Sequence, residues 1–314
     1  MDERGLFQQN IVALIWDFDR TLSPDNMQRP IFENYGISED AFWAEVNALP
    51  QYYARANVTV QPDTCYLTHL LSYVRAGRLP GLTNERLREL GAKVRLFAGL
   101  PGAFDRLRDV LAPQKYHDAD LRLEHYIVST GLEPMIRGTA IFPKVDGVWA
   151  SGFIEEPAAP GYNAAGRPGA GEISQVAGLL DNTTKTRAIF EINKGVNANA
   201  GISVNDSIAQ EDRRVPIKNM IYIADGPSDI PSFSVMRRNG GMALAVYDSE
   251  QPALQQQADL LHKSGRVDMY GAADYREHSH TMNWLELQVR NIADRILDER
   301  TRATQSRVQK GPKH

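Results

Sequence analysis

Six consecutive apolar residues, Ile11-Val12-Ala13-Leu14-Ile15-Trp16, run straight into Asp17-Phe18-Asp19-Arg20-Thr21. An uninterrupted apolar run bounded by polar residues reads as a strand buried on both faces, and such strands belong to parallel sheets covered by helices on each side. Ligand sites in open α/β sheets lie just beyond the carboxyl ends of these strands. In extended geometry Asp17 and Asp19 point the same way, with Phe18 opposite. Two carboxylates side by side repel unless a cation or a proton stands between them, which points to a divalent metal.

The same figure recurs twice. Leu123-Glu124-His125-Tyr126-Ile127-Val128 leads into Ser129-Thr130-Gly131, and Asn219-Met220-Ile221-Tyr222-Ile223-Ala224 leads into Asp225-Gly226-Pro227-Ser228-Asp229. A hydroxyl with free backbone amides at a strand end can hold a phosphate oxygen. Ser129 and Thr130 taken alone are equally the caps of an ordinary helix. Between these strands a helix opens at Asn182-Thr183-Thr184-Lys185 and stops at Gly195. Lys185 and Lys194 are separated by about 13 Å along that helix, so at most one of them serves a compact site. A lysine at a helix end is favoured by the macrodipole and one at its start is opposed by it. Lys194 therefore has an ordinary explanation and Lys185 does not.

In this order the four pieces resemble the motifs of the haloacid dehalogenase (HAD) superfamily. Asp17-Phe18-Asp19-Arg20-Thr21 is similar to its first motif, DxDxT; Ser129, with Thr130 as fallback, to the hydroxyl of the second; Lys185 to the lysine of the third. Asp225 to Asp229 resembles the fourth, GDxxxD, with Ala224 replacing its glycine. Arg20 stands where the family often has glycine. The resemblance implies a Rossmann-like parallel sheet sandwiched by helices, with an α-helical cap inserted after the first motif, as in the phosphoserine-phosphatase-like group. It implies an Mg²⁺-dependent phosphomonoester hydrolase working through an aspartyl-phosphate. Asp17 would be the nucleophile, Asp19 the acid and base, and Lys185 the neutralising cation. Asp17, Asp19 (through its backbone carbonyl), Asp225 and Asp229 would surround the metal, and Thr21, Ser129, Thr130 and Gly131 would bind the phosphate. A phosphomutase would use the same residues, and a non-catalytic phosphate-binding module would keep the fold. An acid at Asp19 argues against dehalogenation.

The core is expected over 1–23 and 100–314, and the cap over 24–99. Within 24–99, AFWAEVNAL, TCYLTHLLSYVRAG and NERLRELGAKVRLF carry apolar residues at helical spacing. Arg29, Tyr52, Tyr53 and Arg55 are candidates for facing the site, and a cap closing over it favours a small phosphorylated metabolite. Further along, AFDRLRDVLAP is a helix. AIFPKVDGVWASGFI (140–154) reads as a hairpin turning at Asp146-Gly147. GYNAAGRPGAGE (161–172) is a surface loop lacking P-loop spacing, and 197–215 is a polar linker. WLELQVRNIADRIL is an amphipathic helix, and the basic end, TRATQSRVQKGPKH, is expected to fray. His278 and His280 have no partners at a zinc-like spacing.

A net charge of −4 and a pI near 6.0 give no sign of a nucleic-acid partner. The single cysteine, Cys65, precludes an intrachain disulfide. The opening MDERGLFQQN lacks the apolar core of a signal peptide, and no apolar run reaches the ~20 residues of a membrane span. A cytoplasmic enzyme is the expectation.

Overall fold

The computed structural model describes residues 8–309. The polar lead-in and the last five residues of the basic end lie outside the described residues, apart from residues 8–10. The first strand, β1 (Ile11–Trp16), is buried along its whole length. It lies at the centre of a seven-stranded sheet, between β2 (Arg122–Leu132) and β5 (Met220–Ala224), parallel to both. Beyond β2 come β3 (Gly147–Ile154) and β4 (Gln175–Gly178); beyond β5 come β6 (Met242–Tyr247) and β7 (Met269–Ala272). Only β4 runs antiparallel to its neighbour.

The period of two along β1 divides the core. Val12, Leu14 and Trp16 join one apolar layer, which Phe18 continues, and Ile11, Ala13 and Ile15 join the other. Four helices, α1 (Arg29–Tyr35), α2 (Glu39–Ala54), α3 (Cys65–Arg75) and α4 (Asn84–Gly91), fill the segment after β1, which contributes no strand to the sheet. Their apolar residues, among them Phe32, Phe42, Leu67 and Leu87, are continuous with the first layer. Ser38 and Thr83 cap α2 and α4 by accepting from the amides of Ala41 and Arg86. The third sequence pattern extends to Phe97, but the helix stops at Gly91.

Helices α5 (Gly102–Asp109), α6 (Gln114–His117) and α7 (Glu133–Gly138) flank β2 along the chain. Downstream lie α8 (Lys185–Lys194), α9 (Ile230–Arg238), α10 (Pro252–Lys263) and α11 (His280–Gln309). Ala188, Ile189, Ile192, Phe233, Ala258 and Leu261 from α8, α9 and α10 pack in the second layer. Met282, Leu285, Val289, Ile292 and Ile296 of α11 pack in the first. The tail helix is thus part of the core, and it continues to Gln309, through residues expected to fray.

The hairpin expected over 140–154 is not formed. Phe142–Lys144 is a single 3₁₀ turn, and β3 begins at Gly147 and pairs parallel to β2. Asp146 is held instead of turning: its Oδ2 accepts from the His125 amide and from Arg108. The antiparallel pair is β3 with β4, and the glycine-rich loop lies between them. Its far end is anchored: the Glu172 side chain accepts from the Gly81 amide, and the Ile173 amide donates to the Leu82 carbonyl. The polar linker is anchored too, because Lys194 donates to the carbonyls of Val204 and Asp206.

Candidate active site

Asp17 carries the odd-numbered face of β1 one step beyond the strand, toward the layer that contains α8. Its amide donates to the Ile223 carbonyl of β5, so the two central strands end level. Three amides in succession, those of Thr21, Leu22 and Ser23, converge on the Phe18 carbonyl. This turn puts Arg20 in the left-handed region at φ +59°. It also folds Asp19 back, so that Asp19 Oδ1 accepts from the Met27 amide at 2.8 Å.

Lys185 is the first residue of α8, and Asp181 accepts from the Thr183 and Thr184 amides ahead of it. Its Nζ donates to Asp17 Oδ1 at 2.8 Å and to Asp229 Oδ1 at 2.9 Å, and all three side chains are buried. Asp229 also accepts from Tyr222 and Ser228. Lys194 points to the linker instead.

Carboxylate oxygens of Asp17, Asp225 and Asp229 lie within 4.8 Å of one another. Asp19 is outside this group, its side chain tied to the Met27 amide. The Asp225 carboxyl is pushed up to about 8 by burial and by Asp17 and Asp229. Burial also lifts Asp17, to about 6, against the pull of Lys185, and burial together with Asp17 lifts Asp19 to about 7. Lys185 is held well above its ordinary value: burial opposes its charge, but Asp17 and Asp229 outweigh it. More negative charge is gathered than one lysine neutralises. An all-oxygen set of this kind fits a hard divalent cation such as Mg²⁺, which Asp17, Asp225 and Asp229 could hold.

A cleft of about 250 Å³ opens on these groups, and Asp17, Asp19, Lys185 and Asp225 are among the residues that line it. Of the proposed phosphate ligands, Thr130 lines it and the other three do not. The Ser129 hydroxyl is buried and accepts from the Gly131 amide. Thr21 Oγ1 is buried with no hydrogen-bond partner among the described residues. Gly131 makes room for Met27, since a Cβ there would stand 2.2 Å from the Met27 methyl.

The helical segment forms the opposite wall, but not with the residues its sequence singled out. Tyr52, Tyr53 and Arg55 are exposed, and Arg29 pairs with Asp25 and Glu39. Gln28, Trp43, Asp63 and Tyr66 face the cleft instead. Nothing in their spacing marks them. His278 is largely exposed, and neither it nor His280 joins the carboxylate group.

The chain is similar to known proteins along most of its length. A protein of Borreliella burgdorferi, described as an uncharacterized protein, is 35% identical over 291 residues, covering 91% of this chain and 97% of its own. Solved structures with a similar fold include a HAD family hydrolase of Salmonella enterica serovar Typhi, with 14% identity and a TM-score of 0.48. It covers 80% of this chain and 66% of its own. A phosphoserine phosphatase solved as a phospho-aspartyl intermediate analogue has 17% identity and a TM-score of 0.45, covering 83% and 93%. The family model for haloacid dehalogenase-like hydrolases matches residues 14–234, a span that takes in Asp17, Ser129, Lys185, Asp225 and Asp229. On that match, the chain belongs to the haloacid dehalogenase-like hydrolase family.

Proposed function

We propose that this protein is an Mg²⁺-dependent phosphomonoester hydrolase that acts on a small phosphorylated substrate through an aspartyl-phosphate at Asp17. The observation that carries the reading is the buried bridge from Lys185 to both Asp17 and Asp229, with Asp225 alongside. A nucleophilic carboxylate needs its charge offset without being protonated, and a lysine on one of its oxygens does this. Lys185 holds Asp17 Oδ1, and Oδ2 is the oxygen we assign to attack.

In the first step Asp17 Oδ2 forms a bond to phosphorus while the ester P–O bond breaks. Asp19 gives its proton to the leaving alkoxide. In the second, Asp19 takes a proton from water as the water oxygen attacks phosphorus, which releases inorganic phosphate and restores Asp17. Lys185 and Arg20 face the negative charge spread over the equatorial oxygens, the main demand of phosphoryl transfer. Thr130, and the amides near Ser129 and Gly131, are our candidates for the remaining phosphate contacts, with Thr21 close behind. Asp17, Asp225 and Asp229, with the backbone carbonyl of Asp19, would hold Mg²⁺, which would supply further charge neutralisation. We read residues 24–99 as the cap and 1–23 with 100–314 as the core domain. Trp43, Asp63 and Tyr66 on the cleft support that division. Among the described residues no helix is long and apolar enough to cross a membrane. A cytoplasmic setting goes with this reading and agrees with the lone, buried Cys65.

Phosphate release from a panel of monoesters, with and without Mg²⁺, tests the proposal. Asp17→Asn is expected to lose activity by roughly three orders of magnitude or more while staying folded. A variant as active as the parent would exclude Asp17 as nucleophile. Turnover of a sugar bisphosphate without net phosphate release would mark a mutase.

A further inference from the structure

The cleft is lined by two sets of residues of different chemistry. One is the acid cluster with Arg20, which follows Asp19 directly and whose charge acts on Asp19 and Asp225. The other comes from residues 24–99 and includes Gln28, Trp43, Asp63 and Tyr66; it carries no cation among the described lining residues, and the charge of Asp19 reaches as far as Tyr66.

Gln28 is 3% exposed, and its Oε1 has no hydrogen-bond partner. The orientation of its amide follows from Tyr66. The Tyr66 hydroxyl spends its one proton on the Thr130 carbonyl, at 2.7 Å. What the hydroxyl can still do is accept, and Gln28 stands near enough to act on it. Gln28 therefore turns its NH₂ toward Tyr66 and keeps Oε1 as the free end. A buried acceptor without a donor costs about 1–3 kcal/mol, so its natural complement is a donor brought by the ligand.

Asp63 adds a charge to this acceptor. Asn182 donates to its Oδ2 at 2.7 Å. Trp43 and Tyr66 stand with ring centroids 5.7 Å apart, and aromatic faces attract cations. The charged side chains along the whole cleft are four carboxylates against two cations. A phosphate dianion and a divalent cation cancel each other, so the surplus remains negative.

We propose that the alcohol portion of the substrate carries a positively charged amine, received by Gln28 Oε1 and Asp63 beside the Trp43–Tyr66 pair. This rests on the phosphatase reading and names its substrate class: phosphomonoesters of small amino alcohols. A carboxylate at that position would face Asp63 and an acceptor amide, with no cation to meet it. A neutral hydroxyl would satisfy Gln28 but gain nothing from Asp63.

A matched two-carbon series tests the assignment: 2-aminoethyl phosphate, 2-hydroxyethyl phosphate and phosphoglycolate, with p-nitrophenyl phosphate as the generic ester. The expected order of kcat/KM is amine, then hydroxyl, then carboxylate, with at least about a tenfold step between the first two. Asp63 is exposed, so Asp63→Asn should fold. That variant should reduce the amine-to-hydroxyl ratio severalfold, mainly through KM. Gln28→Met, similar in volume, should lower the amine and hydroxyl esters together relative to p-nitrophenyl phosphate. Hydroxyl or carboxylate esters turned over as well as the amine, or a ratio that Asp63→Asn leaves in place, would overturn the proposal while the phosphatase stands. No release from any of the four esters would overturn both readings.

Discussion

Arg20 pays a conformational cost that its neighbours explain. The turn that converges on the Phe18 carbonyl needs a left-handed residue at position 20. Glycine adopts that conformation freely, whereas a residue with a Cβ is strained by about 1–2 kcal/mol. Glycine gives back some of this through its larger unfolded-state entropy, about 0.5–1 kcal/mol. Arg20→Gly should therefore leave the protein roughly 0.5–1 kcal/mol more stable, read as a higher urea midpoint at constant slope. A lower midpoint would mean that the Arg20 side chain holds the turn together. His125 offers a second test at this scale. Trp16 Nε1 can only donate, and it lies 3.1 Å from His125 Nδ1, so the ring proton sits on Nε2, facing the Phe104 carbonyl. Burial, with Arg108 beside it, holds His125 neutral well below its ordinary range. Below about pH 6.5 the unfolded chain takes up a proton that the folded one refuses, so this residue makes stability fall with pH, by about 2 kcal/mol at pH 5. The raised carboxyls of Asp17, Asp19 and Asp225 slope the other way. The quantity to measure is the difference between the parent and His125→Leu across pH 5–7.5: the parent should lose stability faster on acidification. Parallel curves would mean that His125 is charged when folded.

Among the elements, those whose ends carry the chemistry could be read from the sequence, because a strand buried on both faces leaves an unbroken apolar run. β1, β2 and β5 are of this kind. The expected hairpin over 140–154 failed for a local reason. An Asp-Gly pair between two valines has the form of a two-residue turn, but Asp146 is captured by the His125 amide and Arg108, contacts made through the fold. β7 has four residues, and only Gly271 among them is buried, too little to leave a pattern. The wall formed by Gln28, Trp43, Asp63 and Tyr66 was likewise unreadable, since it is drawn from two loops and two helices with no common period. What attaches the helical segment below that wall is a close crossing of α4 and α7. A Cβ on Gly138 would stand 1.8 Å from the Arg88 carbonyl oxygen, and one on Gly91 would stand 2.0 Å from that of Met135. Backbone cannot yield as a side-chain end can. Gly138→Ala should cost about 1–3 kcal/mol, the usual penalty of overpacking, in a chemical denaturation measured against the parent. A neutral result would mean that the two helices slide apart freely.

At the scale of the whole molecule, the chain gathers like charges from residues 17, 19, 225 and 229 around one buried lysine, at the carboxyl end of its central strands. Folding alone does not favour this. A carboxyl whose folded value rises to about 8 from 3.8 binds its proton more tightly when folded. Ionised Asp225 therefore works against the fold at every pH above its unfolded value, and the cost is full only above about 8. Near pH 7.5, allowing for its partial exposure, the penalty is about 2–4 kcal/mol. Asp225→Asn should thus raise the melting temperature of the metal-free protein. A cation bound by the folded state alone acts in the opposite direction to the repulsion, stabilising by about 2.7 kcal/mol at a hundredfold excess over its dissociation constant. The parent should therefore melt higher as Mg²⁺ is added and return on chelation, and Asp225→Asn should respond weakly or not at all. The two effects are coupled: the substitution that relieves the repulsion also removes a metal-binding oxygen. A thermal titration of both proteins separates this account from a purely structural one. If Asp225→Asn melted lower without metal and still rose with Mg²⁺ as the parent does, Asp225 would be a packing residue and the cation would be held elsewhere.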